Sequence, residues 1–406
     1  MSDARRERSI VALLGAVQFV NILDFMMVMP LGPYLVEHLG IHTNQMGLVA
    51  GSYTASAAVA GLVGSWFLDR FDRRPALFVA MLGLVVGTAA GGLATSLTTL
   101  VLARVVAGAF GGPATALSLA IVSDKIPQAR RGRALASLMT AFSVSSVLGV
   151  PCGLFLAAHG GWRAPFFVVA AMGAVIAAAA TFALPSAREH LDDPQPQPTY
   201  ASMLRRSDVR LAAALAASSM MAMFVLIPQI STFMVFNVGY PQARLGLLYM
   251  AGGVTSIVVL RAAGALVDRV GAWRIAALGT LLLVPVLYVG FVVASPATPA
   301  AALFAVFMAS TSLRNVPFNQ LQSRVPSPKE RARFMSLLSS VQHVSSALAG
   351  VLSSRLLSTR ADGGLVGMST VTYVAIGLSL LAPPLMWRIE RLLASRGEAE
   401  PQPLRL

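Results

Sequence analysis

The chain reads Ser65-Trp66-Phe67-Leu68-Asp69-Arg70-Phe71-Asp72-Arg73-Arg74 between two long apolar runs. This short charged segment is the key to the organisation of the chain, because a second one, Gly264-Ala265-Leu266-Val267-Asp268-Arg269-Val270-Gly271, lies far downstream. The two Asp-Arg pairs are 199 residues apart, and the same offset joins Gly47 to Gly246. One fixed offset in a chain of 406 residues indicates two copies of one unit, each about half of the protein.

The composition indicates that most of the chain lies in lipid. It is 56% hydrophobic and only 12% charged, whereas a soluble domain carries about 25% charged residues. The formal charge of +14 does not indicate nucleic-acid binding, because the Lys and Arg residues fall in short loops and not in one patch. Because Cys152 is the single cysteine of the sequence, no intrachain disulfide can form. It lies in an apolar run, where a cysteine usually acts as a small buried residue.

Twelve apolar segments are long enough to cross a bilayer, since a span needs about 20 mostly apolar residues. The first follows a polar start and is interrupted by Asn21 and Asp24, so we expect a retained span and not a removed signal peptide. The predicted spans lie near residues 10–35, 47–68, 76–96, 98–122, 134–158, 164–185, 209–236, 245–267, 275–294, 298–322, 334–358 and 365–387.

The predicted fold is an all-α membrane protein, with twelve transmembrane helices in two pseudo-symmetric six-helix bundles. The bundles are predicted at residues 1–185 and 209–387. A polar, proline-rich linker at 186–208 joins them, and a polar tail follows at 388–406.

The distribution of basic residues predicts the orientation of the spans. Of the 31 Lys and Arg residues, 24 fall in the N-terminal segment, the C-terminal tail and the loops on one side, and 4 fall on the other side. Positively charged loops stay in the cytoplasm. We therefore expect a multi-pass protein of the cell membrane (inner or plasma membrane) with both termini in the cytoplasm.

Two six-span halves, an acidic-basic loop after the second span of each half and a central linker resemble the major facilitator superfamily. The loop pattern of that family is Gly-x-Leu-Ala-Asp-Arg-x-Gly-Arg-Lys/Arg. The second copy matches it at Gly264, Leu266, Asp268, Arg269 and Gly271. In the first copy, Ser65 and Asp72 occupy the two glycine positions.

Two further elements resemble the twelve-span drug:proton antiporters, near their sugar-efflux-like bacterial members. Arg104-Val105-Val106-Ala107-Gly108 is similar to an intramembrane Arg-x-x-x-Gly element of that family, and Gly149-Val150-Pro151-Cys152-Gly153 is similar to the Gly/Pro motif of antiporters. The resemblance implies a secondary active transporter for proton-coupled efflux of small drugs or metabolites. A proton-coupled importer or a facilitator for a sugar or other small metabolite is the alternative.

Asp24 is the one carboxylate deep inside a predicted span, and a charge in the membrane marks a functional site by default. Helix rise places Asp24 about 21 Å from one entry of its span and Arg104 about 9 Å from the opposite entry of the fourth span. In a core about 30 Å thick, both fall near one level. We predict that Asp24 and Arg104 form a proton-coupling site. A static, paired brace is the alternative.

Charged loops at the ends of the second and eighth spans predict a conformational latch. Their carboxylates can meet the N-terminus of a neighbouring helix, and their arginines can pair across the loop. The alternative is that these charges only orient the chain. The predicted latch residues are Asp69, Arg70, Arg73, Asp268 and Arg269. Helix bending and close packing are predicted at Gly149, Pro151 and Gly153 in the fifth span.

Polar side chains inside the spans are the predicted substrate-binding residues. Near Arg314, Pro317 removes a backbone hydrogen bond and bends the tenth span. The alternatives are that Arg314 extends to the membrane interface and that the other side chains bond between helices. The predicted set is Arg314, Asn315, Asn319, Gln18, Asn21, Gln229, Gln342 and His343. Its positive charge favours neutral or anionic substrates.

The sequence does not predict an enzyme, because it contains no HExxH motif, no Walker loop and no candidate Ser-His-Asp set. We expect no cofactor and no metal site. The expected partners are a small-molecule substrate, protons and the lipid bilayer, with no nucleic acid, and we expect a monomer.

Overall fold

The computed structural model describes residues 3–67, 70–186, 200–296, 298–327 and 330–395. Within these ranges, eleven helices are long and apolar enough to cross a membrane, and a shorter apolar helix completes the fifth span. The predicted all-α, twelve-span fold is confirmed.

The spans are numbered in chain order. Spans 1 to 6 are Asp3–Met27 with Gly32–Leu39, Met46–Phe67, Arg73–Gly92, Leu97–Lys125, Gln128–Val144 with Val150–Gly160, and Ala164–Ala183. Spans 7 to 12 are Ser207–Phe224 with Ile230–Phe236, Leu245–Val270, Ala272–Phe291, Ala300–Arg324, Arg331–Leu356, and Met368–Leu380 with Ala382–Ala394. The short elements are a helix at Tyr200–Leu204, 3₁₀ turns at Thr43–Gln45, Ile227–Gln229 and Gln242–Arg244, and strands β1 (Ser358–Thr359) and β2 (Leu365–Val366).

Two names describe the ends of the helix bundle. The terminus side is the end where Asp3 and Ala394 lie, since an even number of spans returns the chain to its starting side. The hairpin side is the opposite end, where β1 pairs antiparallel with β2.

Spans 1 and 7 differ from their predictions because each is broken before its hairpin-side end. The long helix of span 1 ends at Met27 and that of span 7 ends at Phe224. Pro30 and Pro228 lie in the two breaks. Proline has no backbone N–H for a helix and disfavours the helical conformation in the residue before it. The breaks are separated by close to the repeat offset, so the pseudo-symmetry extends to the backbone irregularities.

Span 5 contains a π-helical turn at Ser145–Gly149. The N–H of Val150 donates to the carbonyl of Ser145, five residues back. Pro151 is the next residue and has no N–H to donate to a carbonyl of the preceding turn. The wider π-helical turn leaves room for the proline ring within the span. The bend expected in this span therefore takes the form of a π-helical turn.

Spans 2 and 11 close the hairpin side through direct contact of their backbones. A Cβ atom on Gly47 would collide with the carbonyl oxygen of Gly350, and a Cβ on Gly350 would collide with the carbonyl oxygen of Gly47. Small residues allow helices in lipid to approach this closely. Both glycines are therefore needed for the closed hairpin side.

Hydrogen bonds beside this contact also join the first six spans to the last six. The hydroxyl groups of Thr43 and Thr359 are 2.9 Å apart, and Thr359 donates to Asn44 at 3.1 Å. The Gln242 amide donates to the Glu37 carboxylate at 3.0 Å. Each of these bonds joins two neutral groups or one neutral and one charged group, so none of the three is an ion pair.

Replacing Gly47 by Ala should shift the protein away from the state that is closed on the hairpin side. Overpacking a tight contact costs about 1–3 kcal/mol, which lowers the ratio of closed to open protein by about tenfold. Electron spin resonance between labels at the exposed positions His38→Cys and Ala243→Cys, in a Cys152→Ser background, reports the separation as a growing long-distance population.

The matched control is Gly61→Ala on the same helix, where a Cβ meets nothing within 4 Å. This variant should keep the distance distribution of the labelled parent. An unchanged distribution in Gly47→Ala would show that the glycine contact does not hold the hairpin side closed.

Candidate functional site

A buried ion pair lies inside the first six spans. Arg104 Nη1 donates to Asp24 Oδ1 at 3.0 Å, and Arg104 Nη2 donates to the Asp24 carbonyl at 3.3 Å. The exposed fractions of the two residues are 1% and 0%. The structure thus brings together two residues that helix rise placed at one depth, and their role in proton coupling stays a prediction.

The two carboxylate oxygens of Asp24 have different surroundings. Oδ1 lies 2.8 Å from the Thr88 hydroxyl and also accepts from Arg104. Oδ2 is buried and has no hydrogen-bond partner in the described part of the chain. The guanidinium carbon of Arg104 lies 4.6 Å from the centre of the Tyr53 ring, a distance at which an aromatic face attracts a cation.

Gly108 explains why Tyr53 reaches the arginine. A Cβ atom at Gly108 would collide with the Tyr53 carbonyl and the Ser56 hydroxyl of span 2. The missing side chain lets spans 2 and 4 meet one turn from Arg104. The Arg-x-x-x-Gly spacing therefore has a local physical reason, since the glycine seats the aromatic ring beside the cation.

The hydrogen-bond network continues along one face of span 1. The Tyr53 hydroxyl donates to Asn21 Oδ1 at 2.6 Å, and Asn21 Nδ2 donates to Thr115 Oγ1 at 2.7 Å. Thr115 in turn donates to Gln18 Oε1 at 3.2 Å. Gln18, Asn21 and Asp24 are spaced by three residues, which places them on one helix face. Two residues predicted to bind substrate thus belong to the network of the ion pair.

Sequence reasoning missed Tyr53, Thr88 and Thr115, which complete this network. Each is a common residue in an apolar span, and nothing in its own span distinguishes it. The three-residue spacing of Gln18, Asn21 and Asp24 was the available signal, because it predicts a polar face that needs partners on neighbouring helices.

Packing connects the ion pair to the contact between the two halves. Leu23, next to Asp24, packs against Gly149 in the π-helical turn of span 5, where a Cβ would lie 2.5 Å from the leucine. Val147 in the same turn packs against Gly253 of span 8. Gly153 has more room, since a Cβ there would lie 3.8 Å from Met27. A rearrangement at Asp24 thus has a short packed route to the second half.

Arg314 is a second buried arginine, in span 10, and is 6% exposed. Its Nη1 donates to the Ser379 hydroxyl at 3.2 Å. Arg314 and Asn315 border one small cavity. Asn319, one turn further along, is exposed. Arg314 and Asn315 thus lie at one cavity in the second half, whereas the hydrogen-bond partners of Gln18 and Asn21 belong to the first half.

The other predicted substrate residues lie elsewhere. Gln229 is on the hairpin side. With its side-chain amide turned to satisfy both neighbours, it donates to the Thr43 carbonyl at 2.9 Å and accepts from the Gly47 N–H at 3.3 Å. Gln342 and His343 are partly buried on span 11. Gln229 therefore supports the closed hairpin side in this structure.

The predicted latch is only partly visible, because Asp69 lies outside the described residues. Arg73 pairs with Asp124 at the end of span 4, at 2.5 Å. Asp268 accepts a hydrogen bond from Gln320 of span 10 at 3.0 Å. Both contacts join neighbouring spans of one half. Arg70 and Arg269 are exposed.

An ion cluster that the sequence did not indicate joins the starts of spans 7 and 11 on the terminus side. Arg206 contacts Asp208 at 2.8 Å and Glu330 at 2.6 Å. The hydrogen bond to Asp208 is the main reason that the pKa of Arg206 lies above its usual value. In the described ranges, no group of three His, Cys, Asp or Glu side chains is arranged to hold a metal ion.

Known proteins resemble this chain in sequence and in fold. A family model described as Major Facilitator Superfamily matches residues 14–350. A chloramphenicol resistance protein of Streptomyces lividans is 26% identical over 274 residues, which covers 67% of this chain and 70% of that protein.

Two solved structures share the fold over almost the full length. The xylose transporter XylE of E. coli, in an inward open conformation, superposes with a TM-score of 0.72 at 17% identity. The matched region covers 94% of this chain and 96% of the XylE chain. A bacterial homologue of the human lysosomal transporter Spinster, inward-facing and occupied, has a TM-score of 0.70 at 16% identity and covers 98% of both chains. The twelve-span fold and the family match over most of the sequence establish that this chain belongs to the Major Facilitator Superfamily of membrane transporters.

Proposed function

We propose that this chain is a secondary active transporter that exports a small drug or metabolite in exchange for protons. Access alternates between the terminus side and the hairpin side. The observation that carries the proposal is the asymmetry of Asp24, which is fully buried with one oxygen paired to Arg104 and the other without a partner in the described part of the chain.

Asp24 Oδ2 offers a place for a proton that displaces no existing hydrogen bond. In general, burial disfavours the charged form of a carboxyl group, whereas a neighbouring cation favours it. The balance between the two depends on access to water and on the separation from Arg104. A conformational change that alters either one therefore binds or releases a proton.

Arg104 keeps other support when Asp24 becomes neutral. The Tyr53 ring lies beneath the guanidinium group, and the backbone carbonyl of Asp24 accepts from Nη2. Thr88 keeps its place beside Oδ1. Protonation thus removes the counterion of Arg104 but leaves the guanidinium its ring and carbonyl contacts, which lowers the cost of a switch relative to an unsupported cation.

The route from Leu23 through Gly149 and Val147 to Gly253 supports coupling to the movement of the two halves. Span 1 carries Asp24 of the ion pair, and span 5 contacts both span 1 and span 8 of the second half. Efflux is favoured over import by the relative described as a chloramphenicol resistance protein. The alternative is an importer or facilitator for a sugar or other small metabolite, and the direction of proton flux relative to substrate flux distinguishes it from an exporter.

Replacing Asp24 by Asn should abolish proton-driven transport. The amide cannot exchange a proton at neutral pH, so substrate accumulation against its gradient should fall by about tenfold or more. Proteoliposomes with an internal pH dye, tested against drugs, sugars and organic acids, measure substrate flux and proton flux together. The direction of the proton flux relative to the substrate separates export from import.

The control is Asp362→Asn, which removes an exposed carboxylate in the loop of the hairpin. This variant should transport like the parent. Uphill transport at the parental rate in Asp24→Asn would contradict the proton switch, and substrate flux without proton flux in the parent would identify a facilitator.

A double substitution distinguishes the switch from the brace. Arg104→Gln alone leaves a buried carboxylate unpaired and should cost about 3–5 kcal/mol of stability. Adding Asp24→Asn removes that charge and should recover most of the loss, measured as the apparent melting temperature in detergent. The switch predicts that the stable double variant still lacks proton-coupled transport. Recovery of coupled transport together with stability would establish a brace.

A further inference from the structure

The second half contains a buried cation that lacks an opposing charge. None of the ion pairs among the described residues includes Arg314. Its Nη1 donates to Ser379, and its Nε is buried without a hydrogen-bond partner in the same part of the chain. With 6% of the residue exposed, water can solvate little of this charge.

Arg104 shows how the same protein balances a buried arginine. That residue has a carboxylate at 3.0 Å and an aromatic ring at 4.6 Å. Arg314 has the hydroxyl of Ser379 in place of a carboxylate. A charge at membrane depth without a counterion is costly, so an anion from outside the chain would find strong electrostatic attraction at Arg314.

A small cavity beside the guanidinium group has room for such an anion. Spans 7, 10 and 12 surround it, and the volume is about 10 Å³, enough for about one water-sized ligand. The polar lining residues are Ser219, Thr311, Arg314 and Asn315. Thr311 already donates to a backbone carbonyl, which leaves the Ser219 hydroxyl and the Asn315 amide beside the arginine. The lining that the structure describes contains no carboxylate to repel an anion.

We propose that Arg314 binds one compact, singly charged anionic group in this cavity. One negative charge balances the guanidinium, whereas a divalent anion would leave a net charge in the membrane. The small volume excludes polyatomic anions and selects a monatomic one, a halide ion.

Binding to purified full-length protein in nanodiscs tests the site. Melting curves are recorded in increasing NaCl or NaBr, with ionic strength held constant by sodium acetate or 2-(N-morpholino)ethanesulfonate, whose anions are too bulky for the cavity. A small anion should raise the melting temperature saturably, by about 2 °C or more. Arg314→Gln should lose this increase, and Arg261→Gln, an exposed arginine on span 8, should keep it.

Bromide diffraction provides a measurement that does not depend on the folding of a variant. Crystals of the parent grown in NaBr should show an anomalous peak within about 3.5 Å of the Arg314 guanidinium group. Acetate should not displace the bromide, because its four heavy atoms exceed the cavity volume. Displacement by acetate would contradict the assignment to a halide ion.

The proposal is overturned if no small anion shifts the melting temperature, or if Arg314→Gln responds like the parent. Absence of the bromide peak would have the same consequence. The binding assays need neither transport nor protons, so a negative result would leave proton-coupled efflux to be judged by Asp24→Asn alone.

Discussion

A hydrocarbon environment offers no hydrogen bonds, so a polar group inside a span is costly to leave without a partner. This constraint explains the positions of the polar residues in this chain. Asp24 and Arg104 pair in the interior of the first half, and Thr88 and Tyr53 complete their surroundings. The breaks at Pro30 and Pro228 lie close to the hairpin side, where turns and loops replace the regular helix.

The two halves share a backbone plan and differ in charge. Both have a broken first span and a charged loop after the second span. The first half holds a paired arginine, whereas the second half holds Arg314 beside a cavity without a carboxylate. The two proposals thus assign a proton site to one half and an anion site to the other, because a few side chains decide the electrostatics while the backbone stays alike.

The contact between the halves relies on close packing more than on charge. Gly47 and Gly350 bring two backbones together, and the π-helical turn of span 5 packs Val147 against Gly253. Packed interfaces of this kind have discrete arrangements and transmit small displacements. The position of Leu23 between Asp24 and Gly149 is therefore as important to the proposed mechanism as the ion pair itself.

The sequence by itself determined the number of spans, the repeat and the common depth of Asp24 and Arg104. These properties depend on hydropathy over about 20 residues and on the rise of a helix, both of which are local. It did not determine which faces of the helices meet. Tyr53 and Thr88 joined the ion pair unexpectedly, and Gln229 lies on the hairpin side instead of beside Arg314.

The tertiary structure decided those partners because contacts between distant segments depend on the rotation of each helix about its axis, which a nearly uniform apolar span leaves open. The charged loops show the same limit, since Arg73 meets Asp124 and Asp268 meets Gln320 on neighbouring spans. Composition placed these charges at the ends of spans. The packing of the spans then chose their partners.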